Sequence, residues 1–103
     1  MESFTFPKNL TRGKRLRGVC TVTEGDVPIE FQWFKDGAPL VPANLKAGAY
    51  VKRIDAYTSL LAIAHLEPEH AGNYSCVATN AVAKFTRSAV LTIRGKSKKG
   101  KSI

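Results

Sequence analysis

A chain of 103 residues, 44% of them apolar, is one domain's worth of sequence and can bury a single core. No apolar run approaches the ~20 residues that span a bilayer; the longest, residues 60–64, has five. The net charge of +8 comes from 16 basic and 8 acidic residues, but four of the lysines fall in the acid-free stretch 95–103, GKSKKGKSI. That stretch has nothing to bury and is predicted to be a flexible basic tail or linker. Residues 1–2 read as an expression start on a fragment of a larger protein, since no signal-peptide pattern opens the chain.

Phe4, Phe6 and Leu10 predict a first strand broken at Pro7. Residues 16–22 alternate, with Leu16, Cys20 and Val22 on one face, and Glu24-Gly25-Asp26 ends them as a turn. Residues 29–33 alternate with Ile29, Phe31 and Trp33 inward, and the following Asp36-Gly37 favours the positive φ of a tight hairpin turn. Pro39 and Pro42 flank a short stretch suited to a sheet edge. Residues 49–54 and 58–66 are two further strands that meet near Asp55-Ala56, the second turning Ser59, Leu61 and Ile63 one way. Residues 72–79 place Tyr74, Cys76 and Ala78 inward, and residues 84–94 place Leu91 and Ile93 inward. Seven or eight short strands with almost no helical periodicity predict an all-β sandwich.

Cys20 and Cys76 lie 56 positions apart, and neither belongs to a CxxC. With only His65 and His70 to join them, the spacing matches no zinc finger or ribbon, and no metal or other cofactor is expected. The pair is either two buried thiols or one disulfide closing a long loop, and a disulfide would place the protein outside the cytosol.

The order Cys20, Trp33, Tyr74-x-Cys76, with Leu66 and the run His70-Ala71-Gly72-Asn73 just before that tyrosine, resembles an immunoglobulin domain. The resemblance covers residues 3–94 and implies a Greek-key sandwich of two antiparallel sheets, ABED and A′GFC. It also implies a Cys20–Cys76 disulfide between strands B and F, Trp33 packed on it, and Tyr74 as a tyrosine corner. His70 stands where such domains carry Asp, so the salt bridge of that Asp is not expected. The spacing Leu61-x-Ile63-x-x-Leu66 looks like the I-set, with Leu61 and Ile63 in the core. Residues 23–29, 68–74 and 78–81 are similar to stretches of Dscam immunoglobulin domains. Residues 48–63 resemble the variable seventh domain of arthropod Dscam and, equally, the first domain of the shortened chelicerate Dscams. The resemblance implies an alternatively spliced, extracellular adhesion domain that binds its own isoform between cells.

No base, nucleophile or carboxylate pair converges as catalysis would require, and no phosphate loop is present, so an enzyme is not expected. His65 and His70 read as surface or capping histidines. The cluster Lys8, Arg12, Lys14, Arg15 and Arg17 lacks interleaved aromatics, which argues against nucleic acid as a partner. Strand parity predicts an outward apolar patch rimmed by charge on the ABED face: Arg15, Arg17 and Val19, then Tyr50, Lys52 and Ile54, then Leu60 and Ala62; Asp55 joins the expected interface as the partner of Lys52 across an antiparallel crossing. The opposite face presents Glu30, Gln32, Phe34, Asn73, Ser75, Val77 and Thr79. Two sequons, at Asn9 and Asn73, are candidate glycosylation sites, and a glycan on Asn73 would shield this second face. The glycan and the parity favour the ABED face for binding, and the resemblance implies that the partner is a second copy, met there through an antiparallel two-fold contact. The alternatives are an ectodomain of another protein, or a structural role in an intracellular muscle protein. Any link to a membrane would run through the parent protein.

Overall fold

The structure, a computed structural model, describes residues 5–7, 10–23, 25–41, 45 and 48–94. The expected expression start, Phe4, Lys8, Asn9 and the basic tail lie outside the described residues. Among the described residues seven strands form the sandwich: β1 (Leu16–Thr21), β2 (Glu30–Lys35), β3 (Ala38–Pro39), β4 (Ala49–Asp55), β5 (Thr58–Ile63), β6 (Gly72–Thr79) and β7 (Lys84–Leu91). One sheet has the order β1–β5–β4 and the other β3–β2–β6–β7, with every pairing antiparallel. The protein is all-β with an immunoglobulin-like arrangement, in which β1, β2, β4, β5, β6 and β7 take the places of strands B, C, D, E, F and G.

The strand alternation works as the sequence requires. In β1 the burial of Leu16, Gly18 and Cys20 alternates with the exposure of Arg17 and Val19. In β6, Tyr74, Cys76 and Ala78 are buried between less buried neighbours. Asp36 and Gly37 form the β2–β3 turn with φ of 51° and 86°, the pair of positive angles that a two-residue hairpin of this kind needs. The chain ahead of β1 departs from the expected first strand. Among the described residues it contributes one parallel bridge, Thr11 to Arg94, in the position of an A′ contact with β7. Phe6 still reaches the core: its ring meets Tyr74 edge-on at 5.6 Å between centroids. It lies so close to Gly18 that a Cβ there would stand 3.0 Å from Phe6 Cε1, so β1 has room for this ring only because it carries a glycine.

Cys20 and Cys76 are joined by a disulfide that ties β1 to β6 across the two sheets. Both belong to one buried cluster with Trp33, Leu61, Ile63, Leu66, Tyr74 and Leu91. Trp33 is partnered with Cys76 in the β2–β6 register, and its Nε1–H donates to Ser59 Oγ at 2.9 Å. Ser59 in turn sits opposite Cys20. The indole thus lies in the joint between the sheets with its one polar atom satisfied, as a buried Trp requires.

The turn between β5 and β6 shows how His70 substitutes for the usual Asp. Residues Pro68–His70 form a single 3-10 turn. His70 is buried rather than at the surface, and its Nδ1 accepts the Glu67 backbone N–H at 2.8 Å, so the capping role holds and the exposed one does not. Tyr74 Oη–H donates to the His70 carbonyl at 2.5 Å, the bond of a tyrosine corner. Burial, with a smaller contribution from the Asp36 carboxylate, pushes the Tyr74 hydroxyl from its ordinary 10.0 up to about 12. A raised tyrosine pKa means that folding favours the neutral phenol. Its contribution is fully present below pH ~10 and is lost as pH rises through about 12. Between those limits the unfolding free energy is expected to fall more steeply for the native protein than for Tyr74→Phe. Urea melts of both at several alkaline pH values check this, and parallel curves would contradict it.

Candidate recognition face

The outer surface of the β1–β5–β4 sheet is built from three cross-strand rows. Arg17, Ala62 and Tyr50 form one, Val19, Leu60 and Lys52 the next, and Thr21, Thr58 and Asp55 the third. Residues on neighbouring strands in such rows stand ~4.5–5.5 Å apart at Cβ and act as one surface. Val19, Tyr50 and Ile54 are each about half exposed, at 46%, 47% and 51%, and Arg15, Arg17, Lys52 and Asp55 are exposed around them. Seven of the nine residues expected on this face are therefore open to solvent.

Leu60 and Ala62 are not. Parity places both on the outer side, but they are only 4% and 6% exposed. They lie on β5, the central strand of a three-stranded sheet, between Val19 and Lys52 in one case and Arg17 and Tyr50 in the other. The longer side chains on both flanking strands cover them, so they form the floor of the face rather than its contact surface.

A second feature was not legible from the alternation. The β4–β5 register shifts between Arg53 and Asp55, which makes Ile54 the extra residue of a β-bulge. Strict alternation would send Asp55 to the inner side. The bulge instead brings it opposite Thr58 on the outer side, together with Lys52. The Asp55 carboxylate accepts the Tyr57 N–H at 2.8 Å and so shapes the turn that follows. Arg53, opposite Ser59, turns the other way. Its guanidinium lies 5.2 Å from the Phe31 ring centroid and donates to the Ile29 carbonyl, bracing β4 against the chain entering β2.

The opposite sheet face is less continuous. Ser75 and Ser88 share a hydroxyl hydrogen bond at 2.8 Å. Asn73 is exposed there beside Val90, and its backbone N–H donates to the Asp36 carboxylate at 2.9 Å. That bond, followed by the Lys35 ammonium, holds the Asp36 carboxyl below the ordinary carboxylate range. Among the described residues no group of three His, Cys, Asp or Glu side chains could hold a metal ion, and no helix is long and apolar enough to cross a membrane.

The chain matches the immunoglobulin domain family over residues 3–80 and belongs to it. It is 44% identical over 94 residues to the cell adhesion molecule Dscam2 of Drosophila melanogaster, an alignment covering 91% of this chain and 4% of that protein. The chain thus spans about 4% of the length of the curated relatives it matches. Among solved structures it is similar to the Dscam1 Ig7 domain, isoform 5, with a TM-score of 0.83 and 26% identity, covering 90% of this chain and 93% of that one. It is also similar to the I-band fragment I67–I69 of titin, with a TM-score of 0.75 and 26% identity, covering 88% of this chain and 30% of that one. The chain is thus an immunoglobulin domain related to those of cell adhesion molecules.

Proposed function

We propose that this domain is an extracellular recognition module of a cell-adhesion protein and binds a second copy of itself, isoform-specifically, through the β1–β5–β4 face. The observation that carries the reading is the grouping of Val19, Tyr50 and Ile54, all half exposed, on one sheet face. Half-exposed apolar residues grouped on one sheet face mark a partner site more often than apolar residues scattered singly do. The 44% identity to a cell adhesion molecule supports the adhesion setting. The disulfide supports an oxidising, extracellular compartment over the cytosol of muscle, which the likeness to titin alone would leave open. Asn73 lies on the other sheet, so a glycan there leaves this face uncovered.

A two-fold contact must be self-complementary. Val19, Tyr50 and Ile54 meet that condition as apolar groups, whereas Arg15, Arg17 and Lys52 would repel their own copies near the axis. An antiparallel crossing centred close to Ile54 brings Lys52 of each copy toward Asp55 of the other, and a copy with a different charge pattern would be rejected. Sedimentation velocity tests this. Ile54→Glu is expected to give a monomer. Lys52→Asp and Asp55→Lys are each expected to weaken the dimer, and the two together to restore it. A dimer that survives Ile54→Glu would place the contact elsewhere; a failed rescue would remove only the crossing.

A further inference from the structure

The outer face carries a groove of about 600 Å³ beside the apolar patch, lined by Arg15, Leu16, Arg17, Tyr50, Ala62, Ile63 and Ala64. It runs over Ala62 of β5 and Ala64 just beyond that strand, and Ala62 is shorter than its neighbours Arg17 and Tyr50. One wall carries Arg15 and Arg17, two positions apart and both exposed. The other wall is the Tyr50 side chain, in register with Ala62. The basic rim continues beyond the groove: the Leu66 N–H donates to the Lys14 carbonyl at 2.9 Å, which seats Lys14 beside the chain leaving β5. Among the described residues Asp55 is the one acid on this face, at its far end, with its carboxylate bonded to the Tyr57 N–H.

We propose that this groove binds a linear sulfated polysaccharide, with sulfates on Arg15 and Arg17 and a sugar ring over Tyr50. The guanidinium fork matches the planar spread of sulfate oxygens. Recognition then rests on the two basic side chains and on the apolar face of a pyranose laid over Tyr50. An open-ended trough suits a polymer better than a compact anion. The disulfide-bearing, extracellular setting favours a polysaccharide over a nucleic acid. The inference shares a face with the proposed self-contact but does not rest on it.

The probe is a heparin octasaccharide, titrated calorimetrically into the full chain at physiological salt, with amide shifts recorded in parallel. Binding is expected, with shifts centred on Tyr50, Ala62 and Ala64. Arg15→Ser with Arg17→Ser is expected to weaken it by about tenfold per guanidinium lost. A second variant with Lys96, Lys98, Lys99 and Lys101 all changed to Ser separates the groove from the tail. If that variant abolishes binding while the arginine pair does not matter, the proposal fails. It fails equally if the oligosaccharide does not bind, or if phosphatidylserine vesicles bind as tightly with the same dependence on the two arginines. Ile54→Glu, which lies outside the groove, is expected to retain the octasaccharide whatever it does to self-association, so the two readings fall separately.

Discussion

Replacing Cys20 and Cys76 together with alanine is expected to lower the unfolding free energy by about 2–5 kcal/mol. The bond joins positions 56 residues apart and ties β1 to β6, strands that belong to different sheets. Cutting it frees a long loop in the unfolded chain. It also removes two sulfurs from a cluster in which both cysteines are fully buried beside Trp33. Urea unfolding at neutral pH gives the measurement. The slope of free energy against urea is expected to rise with the loss, because the unlinked chain exposes more surface when unfolded. A loss below 1 kcal/mol would mean that Trp33 and its Ser59 bond hold the sheets together unaided.

Leu60→Glu is expected to destabilise the fold by more than about 3 kcal/mol. The side chain lies on the recognition face by parity but is 4% exposed between Val19 and Lys52. A carboxylate there loses the leucine's packing and must either desolvate or pry the flanking strands apart. Ile54→Glu, at the neighbouring bulge and 51% exposed, is expected to change stability by no more than ~0.5 kcal/mol while removing self-association. Thermal melts of the two variants side by side separate a residue that builds the face from one that presents it. Equal melting temperatures would show that Leu60 is accessible after all.

The strands were legible because alternation and turn chemistry agree at nearly every one. Residues 72–79 were expected as a strand and form β6, and Asp36-Gly37 closes the hairpin that its sequence favours. The spacing of Cys20, Trp33, Tyr74 and Cys76 carried the fold because those four positions are tied to one another by geometry. The face was only half legible. Parity says which side of a sheet a residue takes and nothing of how tall its neighbours are, so the cover over Leu60 and Ala62 was invisible. The bulge at Ile54 was equally hidden, since no glycine or proline marks it, and it moves Asp55 to the outer side against the alternation. The chain ahead of β1 also differed: among the described residues it contributes the Thr11–Arg94 bridge, and Phe6 packs into the pocket that Gly18 leaves open.

The bulge at Ile54 also bears on how many copies can gather. β4 is an edge strand, and a straight edge offers its free peptide groups as a template on which a further strand can add, and then another, without limit. The extra residue breaks the repeat of that template near its end, and the Lys52 side chain beside it adds charge to the same margin. Growth by strand addition is thereby discouraged along β4, while the flat of the sheet stays open. Contacts made on the flat through a two-fold axis use up the surface that forms them. An assembly of that kind is complete at two.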